Sequence, residues 1–140
     1  AALGADLEER LNNLTGGLSE IREHSAGTVE RYREILLQRL KQAGLELELS
    51  DERVLKEIAI FSDRCDIAEE VTRLDSHLAQ FLECMGADEP IGRKLEFLLQ
   101  EVNREFNTIG SKANNIEVSR CVIEAKNEIE RIREQIQNIE

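Results

Sequence analysis

Three observations predict an all-α fold, in which long antiparallel helices form a helical hairpin or bundle with a heptad-patterned C-terminal helix. Apolar residues recur at spacings of three and four along most of the chain, the periodicity of helices with one buried face. A single proline interrupts 140 residues, and aromatic side chains make up 4 % against 34 % charged. That balance favours amphipathic helices over a sandwich or barrel. Finally, Val118, Val122, Ala125, Ile129, Ile132, Ile136 and Ile139 alternate spacings of four and three, a seam suited to pairing with another helix in this chain or a neighbour.

The first stripe is Leu7, Leu11, Leu14, Leu18 and Ile21. It is expected to continue, less apolar, through Ser25, Thr28, Tyr32 and Ile35 to Leu40, with Gly16–Gly17 as a bend or a close packing point. Gly44 is a predicted C-terminal stop and Leu45–Leu49 a connector. Ser50 or Asp51 can cap a second helix whose Val54, Ile58, Phe61 and Cys65 share one face. From Ile67 the stripe moves round to Val71, Leu74, Leu78, Phe81, Leu82 and Met85. Either a break falls near Arg64–Asp66 or the helix is buried on two sides. Gly86–Pro90 ends this run, since proline disfavours helix in the residue before it. Leu95, Leu98, Leu99, Val102, Phe106 and Ile109 form the next stripe, ending near Gly110, and Asn115 can cap the last helix.

The length suffices for one domain with a modest core. The net charge is −11, the wrong sign for broad electrostatic capture of phosphate. Between Gly92 and Lys112, however, four basic side chains face three acidic ones, a net +1, which leaves −12 on the remainder. Cys65, Cys84 and Cys121 are odd in number and lack zinc spacing, so free thiols in a reducing cytosol are expected, each helping to fill a core. No signal peptide is visible, and no apolar run approaches the roughly 20 residues that span a bilayer. The expected location is cytoplasmic, with no membrane partner. No phosphate-cradling loop or nucleophile elbow appears, so nucleotide hydrolysis and acyl transfer have no support.

Three polar constellations stand out. Asp66, Glu70, Arg73 and His77 follow spacings of four, three and four, which places them along one side of a helix at the border of its apolar stripe. Carboxylates and an imidazole there can hold a divalent cation or move protons; ordinary surface ion pairing is the bland alternative. Glu101 and Glu105, four apart, repel by a few tenths of a kcal/mol in a bare helix. A metal ion, or a cation from another helix, removes that penalty. Arg93, Gln100, Arg104 and Asn107 occupy a different side of that helix. The third constellation is the C-terminal run Lys126, Glu130, Arg133, Glu134, Gln135, Gln137, Asn138 and Glu140, which can add ligands or brace neighbouring helices. The absence of tandem aromatics counts against base stacking as a main means of holding nucleic acid.

The run GRKLEFLLQEVNREFNTIGSK, with REQIQNIE at the chain end, resembles the C-terminal signature of the YicC/YloC family of bacterial proteins; the DIAEEVTRLDSH stretch is similar too. Glu96, Val102 and Phe106 depart from that pattern without removing a charged candidate position. The resemblance implies a metal-dependent endoribonuclease that acts on RNA with manganese or magnesium and assembles as a ring-like homo-oligomer such as a hexamer. It further implies that residues 1–49 are a long helix and connector, linking to an N-terminal domain outside this sequence, and that 50–140 form the helical C-terminal domain. Carried over residue by residue, it assigns Asp66, Glu70, His77, Glu101 and Glu105 as acid/base groups or ligands, with the metal on Glu70, His77, Glu101 and Glu105. Arg73, Arg93, Lys94, Arg104 and Lys112 become phosphate binders. The rival reading is a non-catalytic helical oligomerisation module of an RNA-binding protein.

Overall fold

The computed structural model describes residues 2–45, 48, 50–86 and 92–139, without the side chains of 2, 3 and 139. It contains α1 (Ala2–Ser25), α2 (Thr28–Gln42), α3 (Glu52–Cys65), α4 (Ala68–Met85), α5 (Gly92–Lys112) and α6 (Ile116–Ile139). All the regular structure described is helical, as the periodicity requires. Helices α1, α4, α5 and α6 make an up-down-up-down four-helix bundle in which α6 lies between α1 and α5, and α5 between α6 and α4. The α2–α3 hairpin is inserted between α1 and α4 and projects from one end.

Each bundle helix contributes the stripe its sequence defines. Leu11, Leu14, Leu18 and Ile21 of α1 meet Leu74 and Phe81 of α4, Val102, Phe106 and Ile109 of α5, and Val118, Ile132 and Ile136 of α6 in one continuous core. The heptad seam of α6 is therefore used inside this chain, against α1 and α5. Ile139 and Glu140 fall outside the described side chains. Cys84 and Cys121 are buried in this core and Cys65 is half-buried, all three as free thiols. Burial pushes the thiols of Cys65 and Cys121 up, which keeps them protonated. Leu82, expected in the α4 stripe, is instead 44 % exposed. Cys84 takes the inward position on the last turn.

The expected single run from Leu7 to Leu40 is two helices. It breaks at Gly27, whose φ of 78° lies in the left-handed region that glycine enters without steric cost. Gly16–Gly17 marks neither a break nor a close approach among the described residues: α1 runs through it, and no atom of another element lies within 4 Å of where a Cβ would sit at either position. Gly44 does stop α2. Its N–H donates to Lys41 O while Leu45 N donates to Leu40 O, the paired bonds of a Schellman ending.

Of the predicted caps, Asp51 rather than Ser50 opens α3, its carboxylate accepting from Arg53 N at 2.9 Å. The stripe shift near residue 66 is a true break: α3 ends at Cys65, and the Asp66 carboxylate accepts from Ala68 N at 3.0 Å to start α4. Asp66 therefore does not continue the helical side that carries Glu70, Arg73 and His77. The proline expected to end α4, and the rest of residues 87–91, lie outside the described residues. Asn115 caps α6 by accepting from Glu117 N and Val118 N, and its amide donates to His24 O at 2.8 Å. One side chain thus fixes the start of α6 to the end of α1.

The α2–α3 arm differs in kind. No residue of α2 is buried, and the buried Val54 and Ile58 of α3 stand apart from the bundle core. Tyr32 and Phe61 stack across the arm with centroids 3.8 Å apart.

Asn115→Ala is expected to lower stability by about 1–2 kcal/mol, because it removes a cap and a tie to α1. Phe106→Ala, at a fully enclosed site, is expected to cost about 3–5 kcal/mol. Urea-unfolding midpoints check both.

Candidate functional site

Helices α4 and α5 run antiparallel, and the polar flank of their contact forms a ladder of facing side chains. At the first rung Lys112 Nζ donates to Glu70 Oε1 at 2.7 Å and to the backbone carbonyl of Asp66 at 3.1 Å. At the second, Arg73 Nε donates to both oxygens of Glu105, at 3.0 and 2.8 Å. The same guanidinium lies 3.7 Å from Glu70 and 3.4 Å from Glu69. One turn further along α4 is His77, and one turn back along α5 is Glu101, so the antiparallel register puts both in the next layer of the seam, where neither makes an ion pair among the described residues.

Glu70 and Glu105 are 3 % and 5 % exposed, the only charged side chains buried among the described residues. Their placement has a simple origin. Glu70 falls three residues after Ile67 and four before Leu74; Glu105 falls seven after Leu98 and four before Ile109. Both occupy positions of the apolar stripe rather than its border. Burying a carboxylate costs several kcal/mol unless cations and hydrogen bonds compensate, and here Lys112 and Arg73 do so. Burial pushes the Glu70 carboxyl up, but the hydrogen bond from Lys112 and the charges of Lys112 and Arg73 together hold it below its ordinary value. Lys112 is raised in turn, chiefly by its bond to Glu70, and Arg73 chiefly by its bond to Glu105.

Two buried polar atoms of the ladder, Glu70 Oε2 and His77 Nδ1, have no hydrogen-bond partner. Such atoms are rare in native interiors; Arg10 Nε and Gln135 Oε1, at the α1–α6 contact, are in the same state.

The ladder separates some residues expected together. Glu70 and His77 are two turns apart on α4, about 10 Å along the axis at 1.5 Å per residue. Glu70, His77, Glu101 and Glu105 are therefore not gathered around one point. No group of three or more His, Cys, Asp or Glu side chains among the described residues is arranged to hold a metal ion. Asp66 is exposed, with its carboxylate spent on the start of α4. Arg73 and Lys112 bind carboxylates within the chain. Arg93, Lys94 and Arg104 are exposed and make no ion pair among the described residues.

The C-terminal run lies on another flank. Lys126, Glu130, Arg133 and Gln137 of α6 face Glu96, Gln100 and Asn103 of α5 across a groove of about 410 Å³. This groove and the ladder occupy opposite sides of α5, so Glu130 adds no ligand to the acids of the α4–α5 seam. Gln135 bonds to Asp6 of α1, which makes it a brace. Sequence reasoning missed Glu69 and Asn103. Glu69 had no visible signal; Asn103 was legible as a neighbour of Gln100 on the same side.

Because the folded-state pKa of Glu70 is depressed, its ionisation stabilises the fold at pH above the unfolded value and ceases to do so as pH falls through the folded one. In chelator, the stability difference between wild type and Glu70→Gln is expected to shrink as pH drops below the ordinary glutamate value of 4.5. Urea titrations at stepped pH measure it.

Comparison with known proteins supplies the remaining finding. A family profile described as Endoribonuclease YicC-like, C-terminal, matches residues 21–140. A protein of Clostridioides difficile (strain 630) named Probable endoribonuclease YicC is 44 % identical over 139 residues, covering 99 % of this chain and 47 % of the relative. One of the same name from Haemophilus influenzae (strain ATCC 51907 / DSM 11121 / KW20 / Rd) is 37 % identical over 134 residues, covering 96 % and 46 %. The chain thus spans just under half the length of these relatives. With the signature residues laid out along α4, α5 and α6, the match shows that this chain belongs to the YicC-like endoribonuclease family and corresponds to its C-terminal domain.

Proposed function

We propose that this chain is part of a metal-dependent endoribonuclease and that the α4–α5 ladder is where the RNA phosphodiester is cleaved. The observation that carries this reading is the burial of Glu70 and Glu105 at 3 % and 5 % exposure in a family whose members are named probable endoribonucleases. Buried carboxylates add little stability compared with apolar residues of similar size, so their presence points to chemistry.

In this reading the layers divide the work. His77 and Glu101, both half-buried in the layer beyond Arg73–Glu105, take separate roles: Glu101 would be a carboxylate donor to a divalent cation and His77 the acid/base group, with Glu105 one turn away. Arg73 holds Glu105 in place, and Lys112 holds Glu70. One or two carboxylates and a substrate phosphate would suit magnesium or manganese, which keep several waters and complete their shell with phosphate oxygens. Such a cation supplies charge neutralisation at the phosphate and a nucleophile at neutral pH. Arg93, Lys94 and Arg104, exposed on α5, are placed to contact flanking phosphates. The assembly expected is a homo-oligomer.

A second reading has its own observation. Every ion pair of the ladder is satisfied within the chain, while Ile116 and Ile123 stand 84 % and 61 % exposed on α6. A helical oligomerisation module would look like this.

Cleavage of end-labelled RNA in manganese or magnesium decides between them. His77→Ala and Glu101→Gln are expected to lower kcat by at least 100-fold while light scattering shows an unchanged oligomer. Chelator should abolish cleavage. Loss of the oligomer with activity retained would establish the module instead. End-group analysis then fixes the step. A free 3′-hydroxyl means water attacked phosphorus; a 2′,3′-cyclic phosphate with a 5′-hydroxyl means the ribose 2′-oxygen did. Arg93→Ala and Arg104→Ala are each expected to reduce the salt dependence of RNA binding by about one ion, without changing base preference.

A further inference from the structure

Two polar stretches of the sequence, around Gln100 and Asn103 of α5 and from Lys126 to Gln137 of α6, are some 30 residues apart yet meet in a single groove on the opposite side of α5 from the ladder. Its volume of about 410 Å³ falls in the range of sites that enclose small ligands, roughly 300–1,000 Å³. The floor is apolar, made by Leu99 and Ile129 at 3 % and 5 % exposure. The walls are amides. Gln100 and Asn103 line one side and Gln137 the other, each offering a donor and an acceptor in one plane.

The charges in the groove cancel. Lys126 and Arg133 are matched by Glu96 and Glu130. Arg133 is bonded to Glu130, and the charge of Glu96 also acts on it. A groove without net charge does not select phosphate. An apolar floor under paired amides instead matches the flat face and hydrogen-bonding edge of a nucleobase, which amide side chains read two bonds at a time.

A path connects this groove with the ladder on the opposite flank. Arg93, Phe97 and Arg104 follow spacings of four and seven, so they share the outer face of α5 between the two. All three are exposed, and Phe97 is 59 % exposed, an apolar surface that packing within the chain leaves open. Aromatic faces flanked by arginines are platforms for single-stranded nucleic acid. None of the exposed apolar side chains Phe97, Ile116 and Ile123 lines the groove itself, so its walls lack the apolar rim that a protein partner would bury.

We propose that the α5–α6 groove is a base-reading subsite: it takes one unstacked base of a single-stranded RNA, whose strand crosses α5 over Phe97 towards the ladder. This rests on the RNA reading above and adds which part of the substrate confers sequence preference. Gln100, Asn103 and Gln137 are the residues that discriminate, and the ladder is indifferent to the base.

Fluorescence anisotropy of labelled 12-nucleotide oligo(A), oligo(C) and oligo(U) with the 140-residue chain tests it, using wild type and the Asn103→Ala/Gln137→Ala variant. Wild type is expected to prefer one homopolymer by roughly tenfold, the discrimination one bidentate pair provides. The variant is expected to bind all three within about twofold of the weakest wild-type value, with an unchanged salt slope. His77→Ala should keep the wild-type preference. Circular dichroism of the variant confirms that it is folded; Gln100→Ala provides a second, single-site reading. A preference that survives the amide substitutions overturns the subsite. So does a variant whose oligomer dissociates while its RNA preference stays intact, which would make the groove an interface between copies. Wild type that binds RNA without preference sinks the subsite alone, whereas wild type that binds no RNA sinks the RNA reading with it.

Discussion

The placement of two carboxylates inside the α4–α5 contact constrains everything else in this fold. Glu70 and Glu105 stand in stripe positions that would ordinarily hold leucine, so each must be met by a cation from the facing helix. Lys112 meets the first and Arg73 the second, at 2.7 and 2.8 Å. These bonds set the register of α4 against α5, because a shift by one residue would turn a buried carboxylate towards leucine or phenylalanine. An apolar seam could slide at lower cost. The ladder thus specifies alignment more than it adds stability, and His77 and Glu101 are carried into the next layer as a consequence.

That alignment has to be held from outside as well, and the rest of the bundle does so. Asn115 joins the start of α6 to the end of α1, Gln135 and Asp6 join their other ends, and Arg10 bonds to Glu128 between. Arg22 pairs with Asp75, connecting α1 to α4. Helices α1 and α6 therefore form a braced wall against which the α4–α5 pair rests. The α2–α3 arm takes no part in this. Its buried residues are few and separate from the main core, and Ile35, Leu55 and Ile60 remain 47 %, 50 % and 36 % exposed on it.

Much of this was legible in the sequence because amphipathic periodicity maps directly onto burial. The stripes of α1, α5 and α6 are buried nearly residue for residue, and Gly44, Asp51 and Asn115 act at the helix ends where their chemistry placed them. The split at Gly27 escaped notice since Ser25, Thr28 and Tyr32 keep helical spacing across it; spacing says nothing about a single residue with positive φ. At the candidate site, the facing pairs were hidden for a different reason. Periodicity shows which side of one helix a residue occupies, but not which residue of another helix it meets. Asp66 looked continuous with Glu70 for the same reason, although its side chain is spent on starting α4. Glu70 and Glu105 did carry a readable signal, namely an acid at an apolar register position, which a helical wheel drawn for amphipathicity alone treats as a flank.

The acidity of the chain, −11 overall, bears on how the proposed chemistry would work. On the ladder, Glu69, Glu70, Glu101 and Glu105 outnumber Arg73 and Lys112, so an approaching phosphate meets net negative charge. Both cations are moreover already engaged by carboxylates and cannot serve the phosphate without leaving an acid buried and unpaired. A divalent cation resolves this conflict only if it binds together with the phosphate: the acids supply part of its shell and the phosphate supplies more. In that case metal and RNA would bind cooperatively, each raising the affinity for the other by the same factor. The exposed Arg93 and Arg104 on the outer face of α5, away from the acids, would then provide the initial electrostatic contact that the ladder itself does not.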